Sequence, residues 1–198
     1  MKTKIISKAT ELFLKLGFKS VTMDDIACEM CISKKTIYKY FGNKEMLIEE
    51  ATIIVHNKIH EVISDIIAKN HNAIEENFEI RKMFKDMFQS ADDSPIFQLK
   101  KHYPEIYQKA ISLEISECTF IFKRNLEKGI AEGLYRKDIN IDSCVKFYYT
   151  LIFNINETTP LKTEAVELEL RALEYHTRAI ATPSGLLELE KQLQNYTI

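Results

Sequence analysis

Glycine and proline are scarce in this 198-residue chain, which contains five glycines and four prolines. Both residues interrupt helices, and over most of the sequence charged residues are spaced between apolar ones at helical intervals. Apolar runs are short too: the longest candidate, residues 147–153, is far below the roughly 20 residues of a membrane-spanning helix. We therefore expect an all-α protein that has no membrane partner.

Signals for secretion and for catalysis are missing as well. The basic amino terminus continues into an amphipathic segment, where Glu11 and Lys15 interrupt any apolar core of a signal peptide. A cytoplasmic location follows as an expectation, with the four cysteines reduced. The sequence shows no Ser-His-Asp arrangement and no phosphate-binding loop, so we expect neither an enzyme nor a cofactor.

Charge is unevenly distributed along the chain. Residues 1–44 contain nine lysines and four acidic residues, whereas the whole chain has 27 basic and 29 acidic residues. The amino-terminal part therefore carries five excess positive charges, and the remainder carries seven excess negative charges. A basic amino-terminal part favours binding to a phosphate backbone.

The first 40 residues predict three short helices in close succession. Gly17 is a stop signal for the first helix, and Phe18 can pack back over its last turn. Thr22 is placed to cap the second helix, with Asp25 completing a capping box, and Ser33 to cap the third. The apolar face of the first helix consists of residues at three- and four-residue spacing: Ile5, Ile6, Ala9, Leu12, Phe13 and Leu16.

The third helix carries a polar outer face. Successive residues turn by roughly 100° around a helix, so Lys35 and Lys39 point outward if Ile37 points inward. Thr36 and Tyr38 flank the two lysines. Two ammonium groups, a hydroxyl and a phenol suit DNA phosphates and base edges, although the same pattern also occurs on ordinary solvated helices.

This arrangement resembles the TetR family of transcriptional regulators. In that family three helices form a helix-turn-helix DNA-binding domain, and a fourth leads into a larger helical domain for ligand binding and dimerisation. The resemblance implies a DNA-binding domain at residues 1–47, here called the head, and a ligand-binding and dimerisation domain at residues 48–198, here called the body. It is carried by Ile6, Ala9, Leu12, Phe13, Gly17, Thr22, Ile26, Ala27, Ile32, Ser33, Ile37, Tyr38, Tyr40, Phe41, Lys44, Glu45 and Leu47.

The resemblance also implies partners and contact residues. The partners would be a double-stranded DNA operator, a small-molecule ligand and a second copy of the chain. Cys31 departs from the family pattern, because that turn usually holds glycine; a left-handed conformation there costs a non-glycine residue about 1 kcal/mol. Lys35 departs too, since a small residue is common at its position. The implied DNA contacts are Thr22, Ser33, Lys34, Lys35, Thr36, Tyr38, Lys39, Tyr40 and Lys44.

Helical periodicity divides the body into further helices. They are expected at about 44–70, 73–89, 105–134, 142–155 and 163–181, with a short last helix ending near residue 194. The fourth helix is expected to carry a nearly continuous apolar stripe of Leu47, Ala51, Ile54, Lys58, Val62 and Ile66. The helix at 163–181 has two apolar stripes, of which one includes Leu168 and Tyr175, so we expect it to bury both. Pairing with a second subunit is one solution and an intrachain core the other; the predicted dimer residues are Leu151, Val166, Leu170 and Leu173.

Aromatic residues are frequent in the middle of the chain. They can line an apolar cavity in which tyrosine hydroxyls provide polar contacts, or they can be plain core. The predicted ligand-binding residues are Phe88, Tyr103, Tyr107, Phe122 and Tyr148.

Cys28 and Cys31 leave other chemistries open. With His56 and His60 they resemble a zinc ligand set, but His56 lies roughly 16 Å along the fourth helix, so no metal site is predicted. Oxidation of the two thiols would distort the DNA-binding unit, which keeps a redox-sensing regulator as an alternative. The sequence-based prediction is a repressor that a small molecule releases from its operator; a constitutive architectural or cell-division DNA-binding protein is the other alternative.

Overall fold

The computed structural model describes residues 1–87 and 95–196. Within these ranges the regular secondary structure is helical, with one isolated antiparallel bridge between Tyr135 and Ala181. This confirms the all-α prediction. The helices are α1 (Lys2–Leu16), α2 (Met23–Glu29), α3 (Lys34–Tyr38), α4 (Lys44–Ala68), α5 (Ala73–Met87), α6 (Pro95–His102), α7 (Pro104–Ala131), α8 (Ile141–Thr158), α9 (Lys162–Ile180) and α10 (Pro183–Asn195).

The helix caps and stops of the head form at the residues predicted from the sequence. Gly17 ends α1 with a φ of 88°, and the Phe18 ring stacks on Phe13 with 5.6 Å between centroids. Thr22 and Asp25 form the capping box of α2, and the Ser33 side chain accepts a hydrogen bond from the backbone of α3. Cys31 has a φ of 53°, the left-handed conformation expected for the turn.

The fourth helix begins at an Asn43 cap and buries both ends of the predicted stripe but not its middle. Its buried residues include Leu47, Ala51 and Ile66, as predicted, and in addition Ile48, Ile59 and Ile63. Lys58 is exposed and paired with Glu61. The prediction is therefore wrong for the middle of the stripe, at Lys58. This helix has apolar residues on two sides, so its sequence is compatible with more than one buried stripe.

Head and body share one hydrophobic core. The buried cluster that contains α1 to α3 continues through Leu47 and Ile48 to Leu99, Ile106 and Tyr107 of α6 and α7. The predicted boundary at residue 47 falls inside α4 and inside this cluster. The segment between Pro95 and Pro104 is thus a helix that supports the head, and α4 is not the sole connection between head and body.

A second core holds the rest of the body together. Phe78, Phe122, Leu126, Leu173 and Leu189 belong to it and come from α5, α7, α9 and α10. The predicted body helices agree with α7 to α10 within a few residues, and residues 88 and 89 of the predicted 73–89 helix lie outside the described residues. None of the described helices combines the length and the apolar character needed to span a bilayer.

A buried carboxylate fastens α5 to α7. Glu76 accepts hydrogen bonds from Asn125 at 2.9 Å and from Lys128 at 2.8 Å, and Arg124 lies 3.1 Å away. Burial opposes the charge of Glu76, but these bonds and the two positive charges outweigh it and hold its pKa below the ordinary value. The arrangement keeps two walls of the body in a defined register.

Candidate functional site

The outer surface of α3 is positioned by two buried side chains. Ile37 is fully buried and Phe41, just after the helix, is 1 % exposed. These anchors turn the polar side chains outward: Lys35 and Lys39 are exposed, and Tyr38 and Tyr40 are 45 % and 38 % exposed. The amino end of the helix is fixed by the hydrogen bond from Thr36 N to Ser33 Oγ, 3.1 Å long. The structure thus brings most of the predicted DNA-contacting residues onto one exposed surface.

The basic residues of this surface differ in how strongly they are engaged within the chain. Lys34 donates to Asp24 at 2.7 Å, and this hydrogen bond raises the pKa of Lys34. Lys44 donates to the Lys19 carbonyl at 3.2 Å. Among the described residues, Lys35 and Lys39 have no acidic partner within salt-bridge distance. These two ammonium groups are therefore the ones most readily available to an external anion.

The predicted hydroxyl contacts are partly committed to helix caps. Thr22 bonds Asp25 through its backbone and its side chain, each at 2.8 Å. Ser33 Oγ lies 2.8 Å from Thr36 Oγ1. A hydroxyl keeps a second lone pair or its proton when it caps a helix, so both groups retain one hydrogen-bonding capacity for another molecule.

Tyr103 connects the head to the body and does not line the ligand cavity. Its hydroxyl donates to the Phe18 carbonyl at 3.4 Å, and the Lys44 ammonium lies 5.7 Å from its ring centroid. Gln98 accepts a hydrogen bond from Phe18 N at 2.9 Å beside it. The ligand-binding prediction for Tyr103 is therefore wrong, because the turn from α6 to α7 points this ring at the end of α1.

A cavity of about 460 Å³ is lined by residues of α1 and of α4 to α9. Tyr107, Phe122 and Tyr148 line it as predicted from the sequence, whereas Phe88 lies outside the described residues. The Phe122 and Tyr148 rings stack with 4.5 Å between centroids. Burial raises the pKa of Tyr148 to about 12, so its hydroxyl stays protonated at neutral pH.

One buried ion pair gives this largely apolar cavity a polar wall. Arg81 Nη1 lies 2.6 Å from Glu169 Oε2, and both side chains are 8 % exposed. Asn156 donates its amide hydrogen to the other oxygen of Glu169. Sequence reasoning missed this pair, because its partners lie on α5 and α9 and no local pattern connects them.

His176 contacts the cavity rings from behind. Its ring centroid lies 5.3 Å from that of Phe122 and 5.0 Å from that of Tyr148, and its Nε2 is buried without a hydrogen-bond partner in the described structure. Burial lowers the pKa of His176 to about 4. The imidazole is therefore neutral at physiological pH.

The predicted dimer residues lie in different environments. Leu173 is 1 % exposed and Leu170 is 8 % exposed, and both belong to the core of the chain. Their assignment to a dimer surface is wrong, because the chain already buries that stripe of α9. Val166 is half-buried in the cavity wall, whereas Leu151 is 40 % exposed.

The exposed apolar surface on these helices comes from the other stripe. Phe147 of α8 is 67 % exposed, and on α9 Leu168 and Tyr175 are 40 % and 71 % exposed. Leu151 lies one helical turn after Phe147 and extends the same surface. We call these four residues the α8–α9 apolar surface. Leu168 and Tyr175 belong to the second apolar stripe of the sequence, which was the available signal for this surface.

The cysteines and histidines that the sequence analysis weighs as a zinc ligand set lie on different elements. Cys28 and Cys31 are both free and exposed at the end of α2. His56 and His60 lie on α4, where their neighbour is Glu114 of α7. The sequence offered no signal for Glu114, because it lies more than 50 residues from both histidines.

Comparisons with known proteins agree with this architecture. Residues 5–51 match the model of the bacterial regulatory proteins of the tetR family. The Staphylococcus aureus protein named "Biofilm operon icaADBC HTH-type negative transcriptional regulator IcaR" is 29 % identical over 107 residues, which cover 54 % of this chain and 52 % of that protein. The chain thus spans about half the length of the curated relatives that it matches.

Solved structures extend the likeness to the body. A transcriptional regulator from Cytophaga hutchinsonii has a TM-score of 0.73 at 18 % identity, covering 91 % of this chain and 98 % of that one. The Thermus thermophilus repressor FadR, solved with lauroyl-CoA, has a TM-score of 0.58 at 20 % identity, covering 90 % and 92 %. At these identities the likeness establishes the fold alone.

The head thus resembles the tetR family of bacterial regulatory proteins over residues 5–51, and the chain as a whole shares the fold of the solved structures.

Proposed function

We propose that this protein is a DNA-binding transcriptional regulator whose α3 enters the major groove of an operator. The observation that carries this proposal is the exposed surface of α3, on which Lys35 and Lys39 lack acidic partners among the described residues. Two free ammonium groups beside exposed Tyr38 and Tyr40 suit a phosphate backbone and neighbouring base edges. The caps at Thr22 and Ser33 hold α2 and α3 in a fixed mutual orientation, which lowers the entropic cost of binding.

The regulator acts as a homodimer that pairs through the α8–α9 apolar surface. Phe147 and Tyr175 are large side chains with about two thirds of their surface in water, so covering them is favourable. A dimer also has a reason in the DNA, because two heads can bind half-sites about one helical turn apart. The relevant stripe of α9 carries Leu168 and Tyr175, not the buried Leu170 and Leu173.

A small molecule in the cavity controls the affinity for the operator. The volume of about 460 Å³ is within the usual range of ligand sites, and the lining is mainly apolar. The Arg81–Glu169 pair and Tyr148 offer hydrogen bonds to a polar group, so the expected ligand is an apolar molecule with at least one such group. The ligand weakens operator binding by the ratio of its affinities for the two conformations. The comparison with FadR supports an acyl ligand as one class to test.

Two alternatives make different predictions. A constitutive DNA-binding protein would bind its operator equally in the presence of every cavity ligand. A redox-sensing regulator is favoured by the exposure of both Cys28 and Cys31 beside the α2–α3 turn. In that case an oxidant would abolish operator binding, and replacing both cysteines by serine would remove the response.

Selection of genomic DNA fragments by the purified protein tests the proposed function. We expect enrichment of fragments with paired half-sites, followed by binding of a recovered fragment more tightly than of a shuffled sequence at the same salt concentration. A metabolite screen against the recovered complex then identifies molecules that release the DNA. Equal retention of recovered and shuffled fragments would refute sequence-specific binding.

A further inference from the structure

Three side chains with metal-ligating atoms converge between α4 and α7. His56 and His60 lie one turn apart on α4, with ring centroids 4.3 Å apart. Both rings point at the same oxygen of Glu114: His56 Nδ1 lies 2.7 Å from Oε2, and His60 Nε2 lies 3.4 Å from it. One ligand atom from each of the three residues falls within 4.8 Å of the others. The side chains are 17–19 % exposed, so the cluster is partly shielded from water.

The charge of Glu114 has no permanent counterpart within the described part of the chain. Its salt-bridge partners there are the two histidines, which are charged only when protonated. Other well-buried carboxylates of the body have a permanent cation: Glu76 is paired with Lys128, and Glu169 with Arg81. Glu114 therefore stands apart as a shielded carboxylate whose neighbours are two imidazole rings.

We propose that His56, His60 and Glu114 form a binding site for a divalent transition-metal cation of the zinc class. Two imidazole nitrogens and one carboxylate oxygen are a ligand set preferred by Zn²⁺, Co²⁺ and Ni²⁺ over Mg²⁺ and Ca²⁺, which take mainly oxygen ligands. The type of ligand atoms in the cluster, rather than its negative charge, selects the ion. The site contains one anionic ligand, so a bound divalent cation keeps a net positive charge and can attract an anionic group.

The geometry needs only small adjustments to hold such an ion. Bonds of about 2.0–2.1 Å to nitrogen and oxygen in a tetrahedral site place neighbouring ligand atoms about 3.3 Å apart. The separation of His60 Nε2 from Glu114 Oε2 already matches this value at 3.4 Å, and that of His56 Nδ1 must open from 2.7 Å. Both rings are on a regular helix at i and i+4, the spacing that directs two imidazoles to one point.

The fourth coordination position faces the cavity. His56 and Glu114 both belong to its lining, and so does Cys118, whose thiol donates a hydrogen bond to the other Glu114 oxygen at 3.1 Å. In the proposed site Cys118 positions the Glu114 carboxylate, while the open coordination position takes water or a polar group of a cavity ligand. The metal would also tie α4 to α7, and an effect of this on operator binding rests on the proposed function.

Titration of the metal-free, tag-free full chain with Co²⁺ tests the site, followed by competition with Zn²⁺. We expect one ion per chain and a visible absorption spectrum of a four- or five-coordinate cobalt site. Replacement of any one ligand, as H56Q, H60Q or E114Q, should weaken binding by more than about 10- to 100-fold, because loss of even an outer-shell partner costs that much. Thermal melts without metal show whether each variant is folded; if H56Q unfolds, H60Q decides, since its contact is the longer one.

Two matched controls separate this site from other metal-binding groups. His71 forms a pair with Glu75 at 3.3 Å on the same i,i+4 spacing, and it belongs to no cluster of three ligands in the described residues. H71Q should therefore bind the metal like the wild type, as should a chain in which Cys28 and Cys31 are both serine. Micromolar binding that persists in folded H60Q and E114Q, or is lost with the two cysteines, would overturn the proposal, and so would wild-type protein that binds neither ion. These measurements contain no DNA, so they are independent of the operator experiment.

Discussion

Replacing Lys35 and Lys39 together by alanine separates DNA binding from folding. Both ammonium groups are exposed and lack acidic partners among the described residues, so their removal should leave the melting temperature unchanged. Operator affinity should fall, and its dependence on salt should become less steep. The physical reason is that each lysine at a phosphate releases condensed counterions on binding.

The magnitude follows from the number of contacts. Each phosphate contact contributes about 0.9 to the slope of log K against log salt concentration. Two lysines in each of two heads should therefore make the slope less steep by about 3.6. At about 0.15 M salt this corresponds to about fivefold in affinity per contact, or on the order of 10³ for the double variant of the dimer.

Two other lysines provide matched controls. Lys34 is already engaged by Asp24 at 2.7 Å, so K34A should change the slope less than K35A does. Lys137 is exposed beyond the carboxyl end of α7, whose other end contacts the head. Because α7 has 28 residues, it separates Lys137 from the head by roughly 40 Å, and K137A should change nothing.

Fluorescence anisotropy of a labelled operator over a series of salt concentrations measures both quantities at once. A double variant with the wild-type slope would refute the placement of α3 against the phosphates. A lowered melting temperature would instead show that the lysines support the head itself.

Three further predictions test other parts of the molecule. Replacing Gly185 by alanine should lower the free energy of unfolding by about 2 kcal/mol or more, since the new Cβ would lie 2.1 Å from a backbone carbonyl oxygen. The control G133A, where the φ is 74° and the surrounding space is open, should lower it by about 1 kcal/mol. Urea unfolding measures both changes. Replacing Phe147 by glutamate should yield monomers in sedimentation velocity. The control L187E changes an exposed side chain of α10 and should leave the dimer intact. A dimeric F147E variant would exclude the α8–α9 apolar surface as the interface. The pKa of His176 is about 4 in the folded chain and about 6.5 in the unfolded chain, so the free energy of unfolding should fall as the pH drops from about 6.5 to 4, by up to about 3 kcal/mol. The variant H176F should lose this part of the pH dependence. An unchanged profile would contradict the buried neutral state of His176.

The head could be predicted from the sequence because its signals are local. The Thr22 and Ser33 caps, the glycine at the end of α1 and the left-handed Cys31 each act within a few residues of their own position. The inward direction of Ile37 then sets the direction of every other side chain on α3. The helix caps and the buried position of Ile37 together thus define most of the predicted α3 surface.

The body could be predicted only as a set of helices. Periodicity reveals that α9 has two apolar stripes, but it does not tell which one faces the core of its own chain. For that reason the sequence pattern places Leu170 and Leu173 on a dimer surface, whereas the chain buries them in its own core. The pairing of Arg81 with Glu169, and of Glu114 with the histidines, depends on which helices become neighbours, which is a property of the tertiary fold.

The shared core between head and body bears on how the proposed ligand would act on the proposed DNA-binding surface. Were α4 the only connection, a ligand would have to act by tilting one helix. The head also rests on α6 and α7, through the Gln98 and Tyr103 contacts to Phe18 and through a continuous hydrophobic cluster. Tyr107 belongs to that cluster and to the cavity lining at once. A molecule that displaces Tyr107 would therefore disturb the support of α1 directly, and DNA that holds the head in place must by linkage oppose that molecule to the same degree.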